Sequence, residues 1–260
     1  MARWQSCSIR KPELQLNEFS KADVRALIDR ARRTGRVALD EASGKQILSA
    51  YGIRVPRSKT IAGPDEVATA LRDLSFPCAL KINSPDIIHK SDFGGVALNL
   101  TSESAVCEAI ARMTAMARDQ QRRVEGFIVE EMAPPGHAIV IGAYRDPSFG
   151  LLVMFGLGGV FVELLRDLSF RLCPIDSIDA REMIGELKGA PILAGARGGL
   201  AVSEHILVDA MMAIAGRGGL IESLADDFDE IDINPLIASA SGAMAVDARF
   251  VLARRDNRDA

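Results

Sequence analysis

The sequence predicts an α/β or α+β domain of two lobes with its seam near residue 125, and three observations predict it. Up to Arg123, helical periodicities alternate with short apolar runs, CALKI and GVALNL among them. Beyond Arg123, apolar runs crowd together as successive strands do, with Pro134, Pro135, Pro147 and glycines at the breaks. The chain then closes on two strands, EIDINPL and AMAVDAR, joined by the turn ASASG. Elements of that kind bury an apolar face against one another in layers, one core to each lobe.

Taken in order, SKADVRALIDRARR offers Ser20 as an N-cap and stops near Gly35, and EASGKQILSAYG is a second, shorter helix ended by Gly52. Both have the look of an N-terminal flank. Val67, Ala70, Leu71 and Leu74 recur at helical spacing, as do Val106, Ile110, Met113 and Ala117. FIVEEM, AIVIGAY, LLVMF and VFVELL follow as strands. Two later helices carry Ala180, Met183, Ile184 and Leu187 on one face, and Leu207, Ala210, Met211 and Ile214 on another. The expected divisions are a flank and helix over 1–38, a first lobe over 39–125, a second over 126–252, and a frayed charged tail over 253–260.

Composition narrows the function classes. Of 260 residues, 48% are hydrophobic and 25% charged, and no apolar run is long enough to span a bilayer, so a soluble chain with no membrane partner is expected. The N-terminal stretch lacks the apolar centre of a secretory signal, which points to the cytoplasm. Cys7, Cys78, Cys107 and Cys173 are scattered without CxxC spacing, so neither a zinc site nor a disulfide framework is implied. The net charge is −4, and the one basic cluster, Arg30, Arg32, Arg33 and Arg36, reads as a solvated helix face; no nucleic-acid partner is expected.

Chemistry begins with the lysine of CALKI. Strand alternation sends Cys78, Leu80 and Ile82 to one face and Ala79 and Lys81 to the other, leaving an ammonium in mid-strand that needs an anion. On this residue alone, a lysine reaching water from a half-exposed sheet accounts for it better. The sequel favours the anion: PDIIHKSDFGGVALNL carries Gly94 and Gly95 in a loop between strands, where backbone amides can close on phosphates. Neither a Walker loop nor a G-x-G-x-x-G turn is present, and FGLGGVF is explained equally by a turn.

The C-terminal strands are more informative. In EIDINPL, Ile231 and Ile233 alternate with Glu230, Asp232 and Asn234, so three oxygen-bearing side chains share one face. A hairpin centred between Ala240 and Ser241 sets Asn234 opposite Asp247, with Cβ atoms about 4.5–5.5 Å apart. An amide oxygen and carboxylates in that arrangement suit Mg²⁺, which completes its octahedron with water and substrate phosphates. A solvated polar face on an edge hairpin remains the alternative, since register is set by the turn.

Several runs now resemble one family. LSAYGIRVP, LKINSPDIIHKSDFGGV, IVEEM, RDPSFG, VMFGLGGVFVELLRDLSFRLCPID and EIDINPL with DAR resemble the ATP-grasp β subunit, or β domain, of the ADP-forming acyl-CoA synthetases, relatives of succinyl-CoA synthetase, over residues of about 40 to 252. The resemblance implies an ATP-grasp fold, two α+β lobes clasping ATP or ADP with Mg²⁺, and the reversible conversion of acyl-CoA, ADP and phosphate to carboxylate, CoA and ATP. Phosphate is relayed in that family by histidines, and His89 matches the one on the β part. Lys81 matches the lysine that grips nucleotide phosphates, Gly94 and Gly95 lie in the phosphate-covering loop, and Glu130, Glu131 and Met132 match the inter-lobe segment that holds adenine by backbone bonds. Asn234 and Asp247 match the magnesium ligands, and Asp232 the acid that orients a phosphohistidine. Glu163 and Arg171 lie in matching runs with no local argument for a role.

The setting of His89 agrees with a nucleophile: Lys90 neutralises an incoming phosphoryl group and Asp92 fixes the tautomer. His137 and His205 lack such a setting and read as structural. Two positions depart from the family: Ala138 where a glutamate is usual, and Leu151 where proline is common. The length leaves no room for a CoA-binding domain, so the resemblance implies a separate CoA-binding α subunit, through which the carboxylic acid or acyl-CoA is bound, in a hetero-oligomer. Two other readings stay open: a stand-alone ATP-grasp carboxylate–amine ligase, and a non-catalytic nucleotide-binding module.

Overall fold

A computed structural model describes residues 21–87, 90–159 and 166–254. Two helices come first, α1 (Lys21–Arg33) and α2 (Glu41–Ala50), and the Asp40 side chain caps the second by accepting from the Ser43 amide at 2.8 Å. Then follow β1 (Ser58–Ile61), the short α3 (Val67–Leu71), β2 (Cys78–Asn83), one helical turn, α4 (Lys90–Phe93), β3 (Val96–Leu100), α5 (Glu103–Asp119) and β4 (Gly126–Glu131). The four strands form an antiparallel sheet in the order β1-β4-β2-β3. Its core packs Leu80, Ile82, Phe127 and Val129 against Val106, Ile110 and Met113 of α5, the helical stripe expected from the sequence.

The larger lobe is a six-stranded sheet of β5 (His137–Asp146), β6 (Gly150–Leu157), β7 (Leu168–Leu172), β8 (Phe228–Ser239), β9 (Gly242–Ala245) and β10 (Ala248–Leu252). Its order is β10-β8-β5-β6-β7, with β9 continuing the pairing along β8, and every pair is antiparallel. The helices Ser177–Glu186 and Glu204–Ala215 bury Met183, Ile184, Leu207, Met211 and Ile214 in the same core as Ile141, Phe155 and Phe250. Asp176 and Asp179 cap the first of them reciprocally, a capping box. Of the expected stripe positions all lie in that core but Ala210, which is half-buried, and Val208 is buried on that helix in addition.

The expected division of the chain needs two corrections. β4 belongs to the small sheet, so the seam falls between Glu131 and His137 rather than near residue 125. Residues 21–53, read as a flank and the start of the first lobe, pack on the larger lobe: Val24, Ile28, Ile47 and Leu48 lie in its core. The edge of β10 explains this, because Leu39 donates to Phe250 at 2.9 Å and Leu252 to Val37 at 2.9 Å, which extends the sheet onto the α1–α2 link. Arg25 and Arg32 hold α1 down through Asp227 at 2.7 and 3.0 Å, so Arg32 is engaged internally rather than on a solvated face.

Gly44 sits in mid-α2, where glycine costs about 1 kcal/mol relative to alanine. Close approach is the reason: a Cβ there would stand 3.0 Å from Phe250 Cδ2 and 3.3 Å from the Ala248 carbonyl. α2 is therefore pressed against β10. Among the described residues no helix is long and apolar enough to cross a membrane. The run VFVELL, Ser20 and most of the charged tail lie outside the described residues; the strand β7 was not anticipated.

Candidate functional site

Lys81 stands where alternation placed it, on the face of β2 opposite the small lobe's core. There it meets α2 at Glu41 and the β9–β10 link at Val246, and Lys81 is 4% exposed and does not reach water. It donates to Glu41 Oε1 at 2.7 Å and to the Val246 carbonyl at 2.8 Å, and lies 2.7 Å from Glu130 Oε1 as an ion pair. Lys45 donates to Glu41 Oε1 at 2.8 Å and also to Glu130 Oε2, and Lys90 donates to Glu41 Oε2. Three ammonium groups and two carboxylates thus meet between the lobes, all but Lys90 nearly inaccessible. Glu130 Oε1 has the lysine close by but no hydrogen bond, so the ion pair with Lys81 is its whole compensation.

Burial alone favours neutral forms, and the pairing overrides it. At Lys81, burial pushes the pKa down while Glu41, Glu130 and Asp247 push it up harder, so it stays above the ordinary lysine range. At Glu41, burial pushes up and Lys81, Lys45 and Lys90 pull the carboxyl far below the usual range. Both groups are charged at neutral pH.

The C-terminal hairpin has the register expected of it. Leu236 pairs with Ala245, Ser239 with Gly242 and, past the junction, Ile233 with Ala248, all centred between Ala240 and Ser241. Asn234 faces Asp247, its amide donating to the Asp247 carbonyl at 3.2 Å. Ile231 and Ile233 are buried, Asp232 and Asp247 are half-buried, and Asn234 is exposed. Burial and then Glu41 raise the Asp247 pKa despite the lysines; burial, Glu230 and Asp247 raise that of Asp232 against Arg249. Two carboxylates and an amide oxygen therefore stand together, with Arg249 and the lysines only partly offsetting burial and mutual repulsion, a donor set that fits a hard divalent ion. Among the described residues no three His, Cys, Asp or Glu side chains are placed to hold a metal by themselves, so such an ion takes further oxygens from water and ligand. The Val246 carbonyl on Lys81 places the lysine beside this pair.

The other expected residues fall as follows. Gly94 has φ +78° and Gly95 lies against Ile82, a Cβ there meeting Cγ2 at 2.5 Å. Their amides donate to Ser91 at 3.1 Å and Lys90 at 2.7 Å, ending α4. A helix stop accounts for both glycines, and neither amide is directed to a ligand. Glu131 donates its amide to Arg57 at 3.0 Å and Met132 to Pro77 at 3.1 Å, so both amides are engaged within the chain, and Glu130 turns its side chain into the charge cluster. Arg171 grips Glu186 at 2.5 and 3.1 Å and Glu182 at 3.2 Å, tying β7 to the helix behind it. His137 bonds the Leu200 carbonyl at 2.6 Å and His205 pairs with Ser203 at 2.6 Å, both structural. Ala138 accepts from the Gly158 amide at 2.7 Å. His89 and Glu163 lie outside the described residues.

Glu41 and Lys45 were missed. Their one signal is an i, i+4 Glu–Lys pair, which ordinarily marks an exposed helix face.

A model of the ATP-grasp domain matches residues 30–252, and the chain belongs to that family. More narrowly, it belongs with the β subunits of ADP-forming acid–CoA ligases: it is 42% identical over 233 residues to the acetate–CoA ligase [ADP-forming] I subunit beta of Pyrococcus furiosus, covering 89% of this chain and 98% of that one. Acetyl-coenzyme A synthetase 1 of Ca. Korarchaeum cryptofilum, in complex with coenzyme A, Ca-AMPCP and HgCl+, superposes with a TM-score of 0.82 at 42% identity, covering 88% of this chain and 99% of that chain. A second structure of that protein, with coenzyme A and Mg-AMPPCP and its phosphohistidine segment pointing towards the nucleotide binding site, gives 0.75 at 41% identity, covering 88% and 100%.

Proposed function

We propose that this chain binds ADP or ATP with Mg²⁺ between its lobes and works as the nucleotide-binding β subunit of an ADP-forming acyl-CoA synthetase. With a CoA-binding α subunit it interconverts acyl-CoA, ADP and phosphate with carboxylate, CoA and ATP. The observation that carries the reading is the position of Lys81, a buried ammonium on the small lobe set beside Asn234 and Asp247 of the large one. Cation on one wall and oxygen donors on the other suit a polyphosphate held by both. Family membership and the Mg-AMPPCP held by the Korarchaeum relative support it.

In this reading Lys81 and Lys90 bind phosphate oxygens, the Glu131 and Met132 segment lies along the base, and Asn234 with Asp247 holds Mg²⁺. When bound, Mg²⁺ offsets phosphate charge during transfer. His89 is the carrier. In the direction of ATP formation its imidazole takes a phosphoryl group from the α subunit, the new P–N bond forming as the bond to the α donor breaks. That P–N bond then breaks as the terminal phosphate oxygen of ADP bonds phosphorus. Asp232 takes the part of the acid that orients the phosphohistidine, since a carboxylate that accepts a ring N–H keeps the other, attacking nitrogen unprotonated. The designation of the Pyrococcus relative as a subunit beta supports a separately encoded α chain.

Calorimetric titration of MgADP into the full chain tests the nucleotide part. Binding that Lys81→Met removes and His89→Ala retains is expected. No binding by the wild-type chain, with or without an α subunit, refutes it.

A further inference from the structure

We propose that Glu41 is an internal competitor for the nucleotide phosphates: its carboxylate holds the ammonium groups that a polyphosphate uses, and a polyphosphate displaces it. The inference rests on the reading of Lys81 as a phosphate-binding lysine and adds a residue that neither the family resemblance nor the strand patterns point to.

The geometry is that of a phosphate stand-in. One carboxylate accepts from three lysines on three elements: Oε1 from Lys45 of α2 at 2.8 Å and from Lys81 of β2 at 2.7 Å, and Oε2 from Lys90 of α4. Convergence of several ammonium groups on adjacent anionic oxygens is how proteins bind phosphate. Glu41 is 5% exposed, so its charge is screened by these lysines and little else. An incoming polyphosphate needs the same protons, and with Glu41 in place it meets a like charge at contact distance.

Glu41 is also better placed to leave than the other carboxylate. Glu130 lies in β4 between β1 and β2, on the same sheet as Lys81, and is fixed by pairing on both sides. Glu41 opens α2, in the first turn, where the leading backbone amides have no partner within the helix and the Asp40 side chain caps that of Ser43. Moreover, α2 packs on the large lobe while Lys81 and Lys90 belong to the small one, so the Glu41 contacts cross the cleft. Displacing Glu41 exchanges a clasp within the chain for one through the ligand. Lys45, on α2 itself, remains with Glu130 when Glu41 departs.

A purely structural Glu41 predicts the opposite sign. If its task were to position Lys81, neutralising it would loosen the lysine and weaken phosphate binding. If it competes, neutralising it strengthens binding.

The experiment is calorimetric titration of inorganic tripolyphosphate, and separately of MgADP, into the full-length wild-type chain, Glu41→Gln and Glu41→Asp. Removal of one buried negative charge at hydrogen-bond distance is expected to tighten tripolyphosphate binding by about tenfold or more in Glu41→Gln. Glu41→Asp, which keeps the charge, is expected to stay nearer to wild type. Equal or weaker tripolyphosphate binding by Glu41→Gln overturns the proposal, as does equal tightening in Glu41→Asp. If the nucleotide reading itself is wrong, MgADP binds to none of the three proteins, and the tripolyphosphate series still decides the role of Glu41. Should Glu41→Gln not fold, hydrogen exchange on the wild type replaces it: saturating tripolyphosphate is expected to speed exchange in peptides spanning 41–50, and unchanged or slower exchange there overturns the proposal.

Discussion

Replacing Lys81 by methionine keeps the length of the side chain and removes its charge, which makes it the sharpest perturbation of the inter-lobe cluster. Lys81 touches Glu41 Oε1, Glu130 Oε1 and the Val246 carbonyl, and it is 4% exposed, so solvent cannot take its place. Glu41 keeps Lys45 and Lys90, but Glu130 Oε1 is left with no cation on it. Breaking a buried pair in this way costs about 3–5 kcal/mol, and the surviving lysines set the low end, about 3 kcal/mol. For a chain of this size that lowers Tm by about 6–12 °C. The pH dependence adds a second signature. The Lys81 pKa is raised in the folded chain, so its stabilisation is complete below the unfolded lysine value of about 10.4 and is lost as pH rises through the folded value. Lys81→Met therefore loses stability at pH 7 and shows a shallower decline at alkaline pH than wild type. Urea unfolding at pH 7 and across pH 9–11 measures both. A variant within about 1 kcal/mol of wild type at pH 7 would refute the claim that this cluster joins the lobes.

Other consequences are open to direct measurement. Gly44→Ala gains helix propensity but drives a methyl to 3.0 Å from Phe250, so it should destabilise by about 1–2 kcal/mol in urea, and a stabilised variant contradicts the close α2–β10 contact. The Glu41 carboxyl is depressed in the folded chain, so its stabilisation is present above the unfolded value of about 4.3 and is lost as pH falls through the folded one. Glu41→Gln should accordingly flatten the acid limb of stability, and an unchanged limb would count against the ion pairs. Asp247→Asn should abolish the gain in ADP affinity that Mg²⁺ confers while leaving the Mg²⁺-free affinity within about threefold. An undiminished Mg²⁺ effect, measured by calorimetry with and without chelator, removes Asp247 from the metal site.

Much of the site was legible where local rules decide the geometry. Asn234 opposite Asp247 followed from strand alternation and a tight turn, because a one-residue slip would have exposed Ile231 and Ile233. Lys81 was legible as a mid-strand ammonium for the same reason, although its partners were not. Glu41 and Lys45 escaped notice because partners across a cleft leave no trace in local pattern, and an i, i+4 Glu–Lys pair looks the same buried or exposed. The lobe assignment of α1 and α2 failed likewise: apolar spacing says that a helix has a buried face, and the edge of β10 decides what that face meets. Gly94 and Gly95 show the converse. Their attraction as a phosphate loop came from residue type, while the positive φ of Gly94 and the close contact of Gly95 with Ile82 serve a helix stop.

The central claim is that phosphate passes through His89. The full chain incubated with Mg²⁺ and ATP labelled in its γ-phosphate, with and without an α subunit and acyl-CoA, and then digested and mapped, tests it most directly. An acid-labile label on the peptide carrying His89, absent from His89→Ala although that variant still binds MgADP, is the predicted result. Label that never reaches His89 under any of these conditions, or turnover undiminished in His89→Ala, would contradict the account.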